Sequence, residues 1–488
     1  MAFHGLAGGI YVIVDYGRRF DMKQIKGISG STVKKVHFIG IGGVSMSGLA
    51  EILLGMGFEV SGSDIETSKF TKKLQGLGAG IYLGHDADKM GKPDLCIYTA
   101  AIHEDNCEYV RAKELGIPLM NRAVLLGDIM QSHEYGIAVS GAHGKTTTTT
   151  MVAYLFEKCG LDPTIHIGGE ADFIGGTVKN GSGRYFITEA CEYTDTFLKL
   201  NPYIGIVLNI DYDHVDWFSD LADMQQSFLE FAQLIPREGH LIVCHDDENA
   251  RFLEDEVECN VVRYGLDDKS LEYTATDLRF DEQGKASFDL YISGEPCGCP
   301  TLNIPGTHNV LNVLSAIAAC HLCGGRVQDI LTALESMTGP RRRFELKSDA
   351  CGIKVYADYA HNPAEIHGTL EIASNMDHNE IWAVFEPHTY TRVLVLFDDF
   401  RKSFGFADHV IMADIYNDRE ETGNEVSSRL LAEKIAKTGK DSIYLPDYES
   451  IALHLYEHMK PGDIAVILGS KFIEGVADIL AQKYKECI

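Results

Sequence analysis

With 488 residues the chain is longer than one hydrophobic core supports, so two or three domains are expected. Acidic residues outnumber basic ones 71 to 43, giving a net charge of −28 with no long basic run, which excludes nucleic acid and anionic membrane surfaces as partners. A polyanionic ligand must then be met by local devices, glycine loops and single Lys or Arg residues. The twelve cysteines are scattered through apolar runs, the pattern of buried thiols in a reducing cytosol rather than of a disulfide framework.

The first apolar run, residues 6–14, is too short and glycine-rich to cross a membrane and lacks a basic flank and a cleavage site, so the protein is expected to be cytoplasmic, with no membrane insertion. Residues 1–21 read as an extension before Met22, with no function assigned. Val36–Ile39 reads as a strand that runs into Gly40–Ile41–Gly42–Gly43–Val44–Ser45, followed by a helix from Leu49 to Met56 and a strand ending at Asp64. This is a βαβ unit with a dinucleotide-type loop, whose glycines let a diphosphate approach and whose Asp64 can meet a ribose or base. Taken alone it fits NAD, FAD or any nucleoside diphosphate, and Ser45 stands where a third glycine would be. Cys96–Ile102 reads as a later strand bordering the same crevice, and Pro118–Leu126 as the lead into the next domain.

The strongest single signal is the apolar run Tyr135–Ser140 followed by Gly141–Ala142–His143–Gly144–Lys145–Thr146–Thr147. Strand, glycines, lysine, hydroxyls and helix in that order make a phosphate cradle: backbone N–H groups and a helix N-terminus face the anion, and the lysine adds a mobile charge. A hydroxyl directly after the lysine is where Mg²⁺ is held in P-loops, yet the general pattern wants glycine at the position of Val139. Five threonines open the following helix, which predicts hydroxyls wanted near phosphates and metal. Gly168–Gly169 reads as another turn. The strand Tyr185–Thr188 delivers Glu189 and Glu192, and Tyr203–Asn209 delivers Asp211, Asp213, His214 and Asp216. Ligands of open α/β sheets sit beyond the carboxyl ends of strands. Lys145, Thr146, Glu189 and His214 are therefore expected around one point, with carboxylate oxygens beside triphosphate oxygens as Mg²⁺ prefers.

Residues 240–304 read as a β-rich insertion, with Cys297–Pro300 a turn inside it. A helix over 310–323 follows Gly306, with Asn309 and Asn312 on one face as an adenine reader or a helix cap, and Cys320–Cys323 as core thiols. Gly339–Pro340, after a helix over 327–337, marks a linker. Arg341–Arg343 forms a compact positive cluster. Strands at Lys354–Ala357, Ile381–Phe385, Val410–Ala413 and Ile464–Leu468 alternate with helices, which predicts a second doubly wound sheet. Its strand ends carry Asp358, His361, His388 and Arg392.

These ordered motifs resemble the Mur ligase family along essentially the whole length from Met22. The matching words are His37–Gly43 with Ser61–Asp64, Gly141–Thr147, Glu189-Ala-Cys-Glu192, Asn209–His214, Gly306–Asn309, Arg342–Phe344, Asp358–His361 and Pro387–Arg392. The resemblance implies an α/β protein of three domains: N-terminal Rossmann-like and UDP-sugar-binding (22–132), a central P-loop ATPase-type parallel sheet with a β-rich insertion (133–338), and C-terminal Rossmann-like and amino-acid-binding (339–488). It implies an ATP-dependent amide-forming ligase of peptidoglycan precursor synthesis, with ATP and Mg²⁺ as cofactors and UDP-N-acetylmuramate and L-alanine as partners, acting as a monomer or homodimer.

Carried over by position, Lys145, His214, Arg343 and Arg392 are catalytic. Gly141, Ala142, His143, Gly144, Lys145, Thr146, Thr147, Asn309, Arg343 and Asp358 bind ATP, and Thr146, Glu189 and His214 hold the metal. Gly40, Gly42, Gly43, Ser45, Asp64 and Thr99 bind the UDP-sugar, and His361, His388 and Arg392 the amino acid. The absence of lysine between Lys199 and Lys269 fits the alanine-adding branch, because later-acting relatives carry a carbamylated lysine there. Cys191 stands where many relatives have Asp, Thr389 replaces a frequent arginine, and Gly469–Ser470–Lys471 departs from the usual glycine-rich ending. A recycling ligase that joins a preformed peptide to the same sugar nucleotide shares the motif order. An NAD-dependent oxidoreductase would leave the second phosphate loop unexplained.

Overall fold

The computed structural model describes residues 33–417, 426–470 and 472–485, preceded by a short antiparallel strand pair, Ala2–Gly5 with Tyr11–Val14. The remainder of the 1–21 extension and Lys471 lie outside the described residues.

Beyond that strand pair, the described residues form three sheets. The first holds five parallel strands in the order Gly80–Leu83, Glu59–Asp64, Lys35–Ile39, Leu95–Tyr98, Leu119–Asn121. The helix after its glycine loop begins at Val44 rather than Leu49, because Gly43 in an extended conformation already serves as the cap, so Ser45 lies in the first helical turn. The stretch after Pro118 holds the fifth strand and the helix Arg122–Gln131, whose N-terminus is capped by the Asn121 side chain on Ala123 N.

The central sheet runs Gly176–Lys179, Thr164–Ala171, Tyr185–Glu189, Tyr135–Ser140, Ile204–Val207, His240–Cys244, Asn260–Leu266, Tyr273–Phe280, Ala286–Ile292, Glu295–Gly298, with Thr301–Leu302 paired to Ala286–Ile292. Residues 240–304 are β-rich, but they are no separate insertion. His240–Cys244 and Asn260–Leu266 continue the parallel sheet beside Ile204–Val207, and only beyond Tyr273–Phe280 does the pairing turn antiparallel. Cys297 and Gly298 belong to its last strand, not to a turn. The third sheet, in the order Glu345–Ala350, Ile353–Asp358, Ile464–Leu468, Ile381–Phe385, His409–Met412, Asp441–Tyr444, is parallel apart from its first pair.

The cradle strand Tyr135–Ser140 is wholly buried, as a strand covered on both faces must be, which is why its sequence is a continuous apolar run. Its helix, Lys145–Lys158, packs in one core with the helix Thr307–Leu322, and Cys320 and Cys323 are core thiols there. The threonine run divides in two. Thr148, Thr149 and Thr150 are buried, and the hydroxyls of Thr149 and Thr150 bond back to the carbonyls of Lys145 and Thr146 at 2.8 Å. Only Thr146 and Thr147 remain for a ligand.

A second core joins the first sheet to the central one through Leu125, Ile129 and Met130 of the helix Arg122–Gln131, packed with Phe186, Phe197 and Phe228. Gly127 makes that approach possible, since a Cβ there would lie 2.0 Å from the carbonyl oxygen of Lys199. Alanine in a helix interior ordinarily gains about 0.5–1 kcal/mol over glycine. Gly127→Ala is nevertheless expected to destabilise by about 1–3 kcal/mol through overpacking, read as a lower urea midpoint. A raised midpoint would contradict this close approach.

Candidate functional site

The cradle forms where the central strand ends. Gly141 and Gly144 take positive φ (147° and 82°), and Asn209, at the end of the neighbouring strand, holds the loop open from below. Asn209 Oδ1 accepts from His143 N at 2.8 Å, and its Nδ2 donates to His143 O at 3.1 Å. Val139, where the general pattern has glycine, is a fully buried ladder residue paired with Glu189 and Ile206, so the loop begins two residues later and is correspondingly short.

Lys145 is folded over its own loop. Nζ donates to Gly141 O (2.6 Å), Ala142 O (3.1 Å) and Glu192 Oε1 (2.8 Å). Burial disfavours both charges, yet the pairing raises the lysine well above its ordinary value and holds the Glu192 carboxyl below its own. His214 Nε2 lies 3.4 Å from the same Glu192 oxygen, its backbone left-handed (φ 51°) and its ring against Tyr193. Glu192 Oε2 and His214 Nδ1 are buried without a hydrogen-bond partner among the described residues.

Glu189 stands a strand-width away beside Thr146. Its Oε1 accepts from Gly168 N at 2.7 Å, and burial raises its carboxyl despite that bond and the one from Thr146. Gly168 and Gly169 are not a turn but lie within the strand Thr164–Ala171. A Cβ on Gly168 would sit 3.0 Å from the Glu189 oxygens, and one on Gly169 2.9 Å from Thr146 Cγ2, so glycine is required for close passage. Glu189 thus stands beside Thr146, and His214 beside Glu192 and Lys145. Among the described residues no group of three or more His, Cys, Asp or Glu forms a ready-made metal centre. A hydroxyl, one or two carboxylates and the orphaned Glu192 Oε2 nevertheless suit Mg²⁺, which keeps several waters and completes its octahedron with phosphate oxygens.

Two cavities meet at the cradle. One, of about 460 Å³, lies between the central and third sheets and is lined by His143, Gly144, Thr147, Asn309, Arg343 and Asp358. The other, of about 580 Å³, gathers Lys69 from the first domain, Thr146 and Glu189 from the second, and Arg343, Tyr359 and Ser470 from the third. The consecutive residues Thr146 and Thr147 therefore line different cavities, and Arg343 lines both. Its neighbours are spoken for: Arg341 pairs with Asp172 and Arg342 with Glu474, each at 3.0 Å. The Asn309 amide donates to Pro305 O (2.7 Å) and accepts from Asn312 (3.1 Å), and Asp358 accepts from Phe344 N (2.6 Å) and Ala360 N (2.7 Å).

The third domain presses its own groups onto this centre. Arg392 Nη2 meets Asp213 Oδ1 at 3.2 Å in a buried ion pair, while Nη1 has no hydrogen-bond partner among the described residues. The His361 and His388 rings stand 6.3 Å apart. His361 Nδ1 lies 3.1 Å from Tyr359 O and 3.3 Å from Glu365, and burial pushes its ring down to about 4, leaving it neutral. His143 goes the other way. Its Nε2 bonds Asp211 Oδ2 at 3.0 Å and its Nδ1 lies at ion-pair distance, 3.7 Å, from Glu365 across the domain boundary. Burial opposes its charge, but these carboxylates push the ring up to about 10.

In the first domain Gly40 (φ 84°) passes beside Thr99, and Asp64 Oδ2 accepts from Gly42 N at 2.7 Å, so the acidic residue also braces the loop. Ser45 is turned away from Asp64, toward Arg122 and His166. Sequence reading assigned no role to Glu192, Asp213, Asn209 or Glu365. The first three stood inside quoted motifs, and Glu365 follows His361 by one helical turn.

Three family descriptions match the chain: Mur ligase family, catalytic domain, over residues 35–134; Mur ligase middle domain over 139–320; and Mur ligase, glutamate ligase domain, over 342–471. The UDP-N-acetylmuramate–L-alanine ligase of Acetivibrio thermocellus is 48% identical over 458 residues, 94% of this chain and 98% of that protein. That of Caldanaerobacter subterraneus subsp. tengcongensis is 46% identical over 93% of this chain and 98% of that protein. Among solved structures, UDP-N-acetylmuramate–alanine ligase from Thermotoga maritima superimposes with a TM-score of 0.78 at 28% identity, covering 93% of this chain and 100% of that one. A murein peptide ligase from Psychrobacter arcticus gives 0.67 at 26%, covering 93% and 99%.

Histidine-ring NMR across a pH titration should find His143 charged at pH 8 and losing its proton through about pH 10, with His361 neutral until the pH falls toward about 4. Because the His143 value is raised, the stability its charge contributes is complete below its ordinary value of 6.5 and fades as pH rises through about 10. A His143 ring titrating near 6.5 would contradict the Asp211 and Glu365 contacts.

Proposed function

This chain belongs to the Mur ligase family, and from that premise we propose that it joins L-alanine to UDP-N-acetylmuramate as ATP is converted to ADP and phosphate. The observation that carries the reading is a cradle set between two cavities, one sized for a nucleotide and one reached by all three domains. A phosphoryl group leaving ATP in the first can be received by a carboxylate in the second.

The chemistry requires that arrangement. A carboxylate does not react with amines at neutral pH until one of its oxygens becomes a leaving group. Transfer of the γ-phosphoryl to the sugar's lactyl carboxylate forms an acyl phosphate. The deprotonated amine of L-alanine attacks the acyl carbon, the C–N bond forms, and the carbon–oxygen bond to phosphate breaks. Lys145 exchanges its loop carbonyls for the transferring phosphoryl, and Arg343 meets the same charge from the third domain. Asn309 and Asp358 flank the nucleoside. Thr146, Glu189 and His214 would hold Mg²⁺, with Glu192 as an additional donor, and that ion would screen the phosphate charges. Gly40, Gly42, Gly43, Asp64 and Thr99 would hold the UDP end. Arg392, with Nη1 lacking a hydrogen-bond partner among the described residues, would take the alanine carboxylate, and the neutral His361, with His388 beside it, would border its amine.

These roles fit domains at 22–132, 133–338 and 339–488. The residues assigned here are compatible with a monomer or a homodimer. No helix among the described residues is long and apolar enough to cross a membrane, and a reaction that uses ATP and a nucleotide sugar fits the cytoplasm.

Phosphate release from ATP with UDP-N-acetylmuramate should require an amino acid and favour L-alanine over glycine by roughly tenfold or more, the discrimination a single methyl group permits. Release with neither alanine, glycine, serine nor the L-alanyl-γ-D-glutamyl-meso-diaminopimelate tripeptide would sink the ligase reading. Release with the tripeptide alone would make the chain a peptide-joining ligase.

A further inference from the structure

A third cavity, of about 150 Å³, lies between the first and central domains and is lined by Ser45, Arg122, His166, Glu189, Cys191 and Thr196. Arg122 opens the helix Arg122–Gln131 at the point where the two domains share a core. Its Nη1 donates to Ser45 Oγ at 2.8 Å, and the guanidinium has no other hydrogen-bond partner and no ion pair among the described residues. The groups nearest it are neutral. Burial and then Arg122 itself push His166 down to about 4, and its ring is tied to Thr188 Oγ1 at 3.1 Å. Burial pushes the Cys191 thiol up to about 11. Among the described residues, the one acidic group on the cavity wall is Glu189, which is already held by Gly168 and Thr146.

A desolvated guanidinium without a counter-charge is costly, and its planar fork matches phosphate and carboxylate oxygens. Ser45 sits in the first turn of the helix that follows the glycine loop, where the N-terminal N–H groups favour the same kind of ligand. The cavity thus runs from a cationic end at the glycine loop to the carboxylate beside the cradle, the path a sugar nucleotide must span to bring its reacting group to ATP. We propose that Arg122, oriented by Ser45, is a positioning residue that clamps an oxyanion of the nucleotide-sugar acceptor between the first and central domains. This rests on the acceptor assigned above. The oxyanion belongs either to the diphosphate or to the lactyl carboxylate.

The test uses the full chain with Arg122→Gln and Arg122→Lys. Calorimetric binding is measured for UDP-N-acetylmuramate and for UDP-N-acetylglucosamine, which has the diphosphate but lacks the lactyl carboxylate, alongside steady-state kinetics and melting temperature. Arg122→Gln should weaken UDP-N-acetylmuramate binding and raise its KM by roughly 10- to 100-fold, the loss of one charge-assisted contact pair, with the ATP KM near wild type and partial recovery in Arg122→Lys. Equal weakening toward both nucleotide sugars identifies the diphosphate as the anion, and weakening toward UDP-N-acetylmuramate alone identifies the carboxylate. Unchanged binding of both by Arg122→Gln overturns the inference. So does a parallel fall in melting temperature and ATP affinity that Arg122→Lys fully repairs, because that marks a purely structural arginine. Wild-type protein that binds neither nucleotide sugar overturns the acceptor assignment itself, and this inference with it.

Discussion

The Lys145 ammonium, enclosed by two carbonyls of its own loop and the Glu192 carboxylate, is the interaction on which the rest of the site depends. A buried ion pair is seldom the most stable way to fill a core, since removing two charges from water costs several kcal/mol per ion before any attraction is counted. Here the pair keeps an ammonium at the mouth of a helix N-terminus, with Asp213 and Glu189 close enough to act on it as well. His214 leans on the same carboxylate, and Asn209 holds the loop that supplies the carbonyls. An arriving phosphoryl group can displace the carbonyls without moving the backbone, because those oxygens belong to the loop that would cradle it.

The third domain completes the site with charges of its own. Arg392 reaches Asp213, Glu365 reaches His143, and Arg343 borders both large cavities. Arg392 and Glu365 lie in helices of the third domain, and each meets a loop residue beyond a strand of the central sheet, so these ion pairs cross the domain boundary beside the cradle. Closing that surface excludes water, which otherwise competes with the amine for an acyl phosphate.

Much of this was legible in the residues. Continuous apolar runs such as Ile137–Val139 marked buried parallel strands, and strand ends rich in His, Asp and Arg marked the groups that gather around the cradle. What escaped detection depends on distances that no local pattern encodes. Gly168–Gly169 looks like a turn because glycine serves turns and close approaches alike, and only the nearness of Glu189 and Thr146 distinguishes them. Residues 240–304 show strand alternation, yet alternation does not reveal which sheet a strand joins. Thr148, Thr149 and Thr150 promise hydroxyls for a ligand, but helix geometry turns them into the core, where bonding to preceding carbonyls satisfies Thr149 and Thr150. Arg122 carried no signal at all, since its lack of a counter-charge emerges only when two domains meet.

In the proposed reaction a phosphoryl group crosses from one cavity to the other onto a carboxylate. UDP-N-acetylmuramate labelled with oxygen-18 in both carboxylate oxygens, incubated with ATP and L-alanine, tests this directly by mass spectrometry of the released phosphate. Each phosphate should carry one labelled oxygen, with the other kept in the product amide. Unlabelled phosphate, or label recovered in AMP, would contradict an acyl phosphate formed at this cradle.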